Sequence, residues 1–142
     1  MIVLAYDHRA YDLMKGVKDY LNKKNLEFIE FASPEYDKND SYSDYAKQAN
    51  EYILSNKNSW GIYACRSGIG VSMMANRYKG IRAGVCYTEK LAFLGRNDDD
   101  INVLVLATEE INLRKAKKLI DIFLNTPFEG GRHIPRLESL DE

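Results

Sequence analysis

Two cysteines in a chain of 142 residues, Cys65 and Cys86, are too few for a disulfide framework, and their scarcity fits a reduced, cytoplasmic setting. No apolar run is long enough to span a bilayer. The opening "MIVLAYDHRAYDLMKG" lacks a basic leader, and its short "IVLAY" run meets Asp7 and His8 at once. It reads as a first strand rather than a signal peptide. A formal net charge of -1 gives neither nucleic acid nor a membrane surface anything to attract. Internal repeats, low-complexity tracts and linkers are missing too, so residues 1–142 read as one domain with room for a core.

Absent motifs narrow the chemistry further. The segment "YACRSGIGVSMMANR" (63–77) sets a thiol beside two closely spaced glycines. A cysteine phosphatase needs an arginine six positions after its nucleophile, where this chain has Val71. A dinucleotide-binding GxGxxG needs a third small residue where Met73 stands, and the lysine–hydroxyl pair of a P-loop is missing. Two cysteines and two histidines at these spacings form no recognisable ligand set, so no metal is expected.

What is present alternates. Apolar and β-branched runs predict strands at 1–6, 26–31, 60–65, 82–86 and 102–107. Helical spacing sets Tyr11, Met14, Val17, Tyr20 and Leu21 on one face. Tyr45, Ala49, Tyr52 and Ile53 share another, and Ile111, Ala116, Leu119, Ile120 and Phe123 the last. Ser41 or Ser43 offers an N-cap after an Asn39–Asp40 turn. Parallel strands need helical crossovers, so the pattern predicts a parallel five-stranded sheet covered on both faces.

In such sheets ligands gather beyond the carboxyl ends of the strands. Asp7 and His8 follow the first strand, and Cys65 with its glycines follows the third; the residues 96–100 precede the fifth. A helix opening at Gly68–Gly70 would present free amides, favour a Cys65 thiolate and hold an oxyanion. The residues alone leave a plain βα turn with a buried thiol equally open. Near the C-terminus, Arg132 and Arg136 are four apart, and a helix would set both on one face, a fork suited to phosphate. A surface charge pair with Glu129 or Glu138 is the simpler account, and His133 reads as a solvated or interface residue.

Together the segments resemble ribose-5-phosphate isomerase type B and the galactose-6-phosphate isomerase subunits along nearly the whole chain. The matching blocks are "DH" after the first strand, "SYSDYA", "CRSGIGVSMMANRYKGIRA", "NVLVLA" and "FEGGRHIPR". The resemblance implies a three-layer Rossmann-like α/β domain whose C-terminal helix packs on a partner subunit. It further implies a cofactor-free aldose–ketose interconversion of a sugar phosphate, with ribose 5-phosphate to ribulose 5-phosphate as the default reaction. Cys65 would be the base, with Ser67 beside it and the amides around Gly68, Gly70 and Val71 holding the enediolate. His8, Arg132 and Arg136 correspond to phosphate positions, and Asp7 and Tyr42 to positions lining the sugar. The active sites would be shared within a homodimer or a dimer of dimers.

The chain also departs from the family near the site. The family's R-x-H-N-D-x-N reads "RNDDDIN" here, so the ring-opening histidine falls on Asp98 and the following asparagine on Asp99. An arginine that usually helps to hold phosphate falls on Glu109, and Arg66 replaces a glycine. A solvated acidic loop is the plain reading of Asp98–Asp100. The altered residues keep two other readings in play: the same chemistry on a tetrose or hexose phosphate, or a relative that binds sugar phosphate without turnover.

Overall fold

In the computed structural model, which describes all 142 residues, five parallel strands form one sheet in the order β2-β1-β3-β5-β4. They are β1 (Ile2–Tyr6), β2 (Phe28–Phe31), β3 (Trp60–Cys65), β4 (Ala83–Val85) and β5 (Val103–Ala107). The helices are α1 (Tyr11–Lys23), α2 (Tyr42–Ser55), α3 (Ile69–Asn76), α4 (Glu89–Asn97), α5 (Leu113–Asn125) and the short α6 (Ile134–Glu138). Every residue of β1 and β5 is buried, as a strand covered on both faces requires. Successive side chains then serve opposite layers. Ile2, Leu4 and Tyr6 meet α1, α4 and α5 residues such as Met14, Ala92 and Leu119, whereas Val3 and Ala5 join the α2 and α3 residues Ala49, Ile53, Val71 and Ala75. Cys65 belongs to this second layer. The result is the expected three-layer, Rossmann-like α/β arrangement.

Local chemistry explains most element ends. Ser41 caps α2 by accepting the Ser43 N–H, and Thr88 caps α4 by accepting the Leu91 N–H. The sequence reading names no apolar face between β4 and β5; Thr88 was the available signal for α4. The predicted strand 26–31 loses its first two residues because α1 ends in a Schellman turn. Asn25 is left-handed (φ 57°), with Leu26 N–H bonded to Leu21 O and Asn25 N–H to Asn22 O. Ile111 lies before the Asn112 cap of α5 rather than within the helix.

The acidic run at 98–100 is not a freely solvated loop. Arg96, buried on α4, donates to Asp100 Oδ1 at 2.8 Å, Ile101 O at 2.6 Å and Thr126 O at 3.2 Å, and its guanidinium lies 4.5 Å from the Trp60 ring centre. Arg82 Nη2 reaches the other Asp100 oxygen at 3.2 Å. One buried cation thus fixes the α4–β5 turn against the segment that follows α5. That anchoring decides where Asp98 and Glu129 point.

Candidate active site

The site begins where β1 and β3 end. Tyr6 pairs with Ala64, so the register carries Asp7 alongside Cys65. Asp7 is buried and caps a short 3-10 turn by accepting the Arg9 N–H at 3.1 Å. Desolvation raises its carboxyl above the usual carboxylate range, against the opposing pull of that amide. His8 is held by Asp40, whose Oδ1 accepts both the His8 backbone N–H (3.0 Å) and Nδ1 (2.8 Å). A carboxylate only accepts, so the proton sits on Nδ1 and Nε2 is left free for a ligand. Tyr36 packs edge-on to the ring at 6.1 Å. Asp40 escaped the sequence reading, which saw at that position only a turn.

Beyond Cys65 the chain turns at Gly68 (φ 78°), a left-handed position natural to glycine, and enters α3. Ser67 Oγ accepts the Ile69 N–H, while the next two amides, Gly70 and Val71, have no acceptor in the chain. These first-turn amides and the helix dipole leave unpaired donors at the mouth of α3, an arrangement that suits an anion. Tyr42, at the start of α2, lies across it. A Cβ on Gly70 would come 2.5 Å from the Tyr42 hydroxyl, so only glycine permits that approach.

Two departures from the family turn out to be one contact. Arg66 Nε donates to Glu109 Oε1 at 2.7 Å, both side chains being exposed. Glu109 therefore does not stand as an uncompensated negative charge beside the thiol. The pair borders an open cleft of about 640 Å³ with Ser67, Ile69, Val85 and Tyr87.

Asp98, Asp99, Arg132 and Arg136 lie elsewhere. Asp98 ends α4, just before β5, whereas Cys65 pairs with Ala107 at the last residue of β5. At ~3.3 Å per residue β5 alone separates the two ends by roughly 13–16 Å. The C-terminal segment joins the Asp98 end: Glu129 N–H bonds to Asn97 O, and Asp141 accepts the Gly80 N–H. Asp98, Asp99 and Arg136 line one cleft of about 700 Å³ along the free edge of β4. Within one chain, then, the expected residues form two groups at opposite ends of the sheet.

The C-terminal expectations need correction as well. Arg132 lies in a 3-10 turn (Gly131–His133) that runs into α6 with Arg136, and neither makes the ion pair with Glu129 or Glu138 that a simple surface role suggests. His133 is not solvated: it is 4% exposed, because the 3-10 turn drives its ring inward.

The two thiols differ in surroundings although both are buried. Burial in apolar packing pushes Cys86 up to about 11, and the start of α4, which follows it, is already capped by the Thr88 hydroxyl. Iodoacetamide at about pH 8 should therefore modify Cys65 well before Cys86, as read by peptide mass spectrometry. Preferential labelling of Cys86 would remove the activating role given to the α3 mouth.

Comparison with known proteins agrees with this architecture. The family described as Ribose/Galactose Isomerase matches residues 2–140. A Mycoplasma pneumoniae protein named probable ribose-5-phosphate isomerase B is 39% identical over 96% of this chain and 90% of its own. A crystal structure of a ribose 5-phosphate isomerase from Thermotoga maritima superposes with a TM-score of 0.95 at 41% identity, covering 99% and 96% of the two chains. That of ribose-5-phosphate isomerase B from Mycoplasma genitalium with bound ribulose-5-phosphate gives 0.93 at 34%, covering 98% and 92%. A relative from Pectobacterium atrosepticum, 32% identical over 98% of this chain and 91% of its own, is named D-erythrulose-4-phosphate isomerase.

Proposed function

Because the chain belongs to the ribose/galactose isomerase family, we propose that it is an aldose–ketose isomerase of a sugar phosphate, with Cys65 as its base and ribose 5-phosphate as its substrate. The observation that carries this reading is the placement of Cys65 directly before the two acceptor-free amides of α3. The Cys65 thiolate removes the proton from C2 of the open-chain aldose. The electrons move toward O1, and the amides of Gly70 and Val71 hold the enediolate oxygen. The proton returns to C1 while the hydroxyl proton of C2 passes to O1, leaving a ketose. Asp7, Tyr42 and Ser67 line the sugar, and His8 offers Nε2 toward the phosphate.

The remaining groups come from a second copy. Asp98, Asp99, Arg132 and Arg136 lie too far from Cys65 within one chain to serve the same small substrate. The free edge of β4 borders an apolar cleft lined by Ile81, Val85, Leu91, Ile101, Leu137 and Leu140, and Ile69 and Met73 of α3 expose large apolar side chains. Burying such a surface between two chains brings one copy's C-terminal arginines toward the other's thiol, and a homodimer with shared sites meets both needs.

A tetrose phosphate is the second reading, favoured by Asp98 in place of a histidine and by the tetrose-phosphate relative. A pentose phosphate is mostly a closed furanose and needs ring opening. A tetrose 4-phosphate has no free hydroxyl placed to close such a ring. On the first reading Asp98→Asn should slow turnover of ribose 5-phosphate while sparing erythrose 4-phosphate, measured as kcat/KM on both. A wild type that prefers the tetrose, with Asp98→Asn neutral, would move the assignment to the shorter sugar. No turnover of any aldose phosphate would leave a binding protein and refute both.

A further inference from the structure

At the end of α4, Asn97 and Asp98 meet Glu129 and His133 of the C-terminal segment. Asn97 Nδ2 donates to Asp98 Oδ1 at 2.8 Å and to Glu129 Oε2 at 2.9 Å. The same two oxygens face His133 Nε2, at 3.7 and 3.4 Å. Neither contact closes into a hydrogen bond, so Nε2 is buried without a partner on a ring only 4% exposed. All three ligand atoms lie within 4.8 Å of one another. The other histidine–carboxylate cluster, Asp7, His8 and Asp40, is already closed by the 2.8 Å bond at Nδ1.

We propose that Asp98, Glu129 and His133 form a binding site for a divalent cation of the zinc type. One imidazole nitrogen and two carboxylate oxygens are ligands that Zn²⁺ takes at ~2.0–2.2 Å, which in a tetrahedron sets ligand atoms roughly 3.3–3.6 Å apart. The observed 3.4 and 3.7 Å are close to those edges. A cation there gives Nε2 the partner it lacks and neutralises two facing carboxylates. Magnesium and calcium fit poorly, since both prefer six or more oxygens to a buried imidazole. Three protein ligands leave a fourth position for a water or a sugar oxygen.

The surroundings support ligands rather than chance neighbours. The Asn97 amide holds both carboxylates from the side, as outer-shell partners of metal ligands do. Glu129 is tied to α4 by its backbone bond to Asn97 O at 3.0 Å, and the left-handed Gly130 (φ 75°) and Gly131 (φ 58°) return the chain so that His133 faces inward. Asp98 and Glu129 are partly exposed, with the imidazole behind them, so an ion can enter from solvent. Cysteine and histidine spacing predicted no metal here because two of the three ligands are carboxylates, joined to the histidine only by the fold.

The site is measured by binding, independently of turnover at Cys65. Full-length protein stripped with chelator is titrated with Co²⁺ and followed by its visible absorption, then competed with Zn²⁺. Uptake of about one ion per chain with the intense visible bands of a four-coordinate ion is expected. Glu129→Gln and His133→Gln should each weaken Co²⁺ binding by at least ~10-fold. Glu129 is exposed, so its variant keeps the test sound if the buried histidine cannot be replaced without unfolding. No Co²⁺ uptake, uptake unchanged in Glu129→Gln, or a sulfur charge-transfer band placing the ion on a cysteine would each overturn the proposal.

Discussion

Cys65→Ala should lower kcat by roughly 10²–10⁴-fold, the range that a positioned base contributes, while sugar-phosphate affinity changes only a few-fold. The expectation follows from where the thiol stands. Cys65 ends β3 on the α2–α3 side of the sheet, and the chain then reaches the left-handed Gly68 and the free amides of Gly70 and Val71. Those amides are placed to hold the negative charge that develops on the enediolate. Removing the sulfur removes the proton acceptor yet leaves the amides, Asp7, His8 and Tyr42 in place, so the loss falls on kcat rather than on binding. Loss of solvent exchange at C2 of ribose 5-phosphate in heavy water, set beside calorimetric binding of the same sugar, separates the two. An alanine variant that still exchanges the C2 proton at the wild-type rate would assign the base elsewhere, with the buried Asp7 next in line.

The second large effect is a recovery. Cys65→Ala and the double variant Arg132→Ala/Arg136→Ala should each be nearly inactive as homodimers, the second because each lost charge-assisted phosphate contact costs about 1.5–3 kcal/mol. Co-expressed with different tags and purified as the mixed dimer, they should regain about half of the wild-type activity, since one of the two shared sites then has both its thiol and its arginines. The reason is the separation across the sheet: Arg136 shares a cleft with Asp98, which immediately precedes β5, and Arg132 belongs to the same C-terminal segment, whereas Cys65 lies at the carboxyl end of β5. A mixed dimer as inactive as its parents would mean that each chain completes its own site. The two-copy arrangement would then be wrong.

Much of this chain could be read locally. Strands such as 60–65 and helix faces such as Met14, Val17 and Leu21 show in the sequence because their periods, two and 3.6, are written by neighbouring residues. The Cys65 turn was legible for the same reason: one glycine takes a left-handed φ, a second allows the close approach of Tyr42, and both lie within five positions of the thiol. The Ser41 cap needed only the residues that follow it.

What stayed hidden depends on long-range contacts. That Arg66 and Glu109 neutralise each other, that Asp100 is held by Arg82 and Arg96, and that His133 is buried facing Asp98 and Glu129 depends on which loops the crossovers bring together. Each helix of a parallel sheet returns the chain to the opposite end, so residues just before a strand and just after it lie a full strand length apart. The sequence by itself determined the elements, the sheet type and the thiol at the mouth of α3, because propensity and turn chemistry act over a few residues. Only the tertiary structure decided that Asp98 and the C-terminal arginines lie at the other end of the sheet, because that depends on the direction of α4 and α5 and on the buried Arg96 that fixes where they stop.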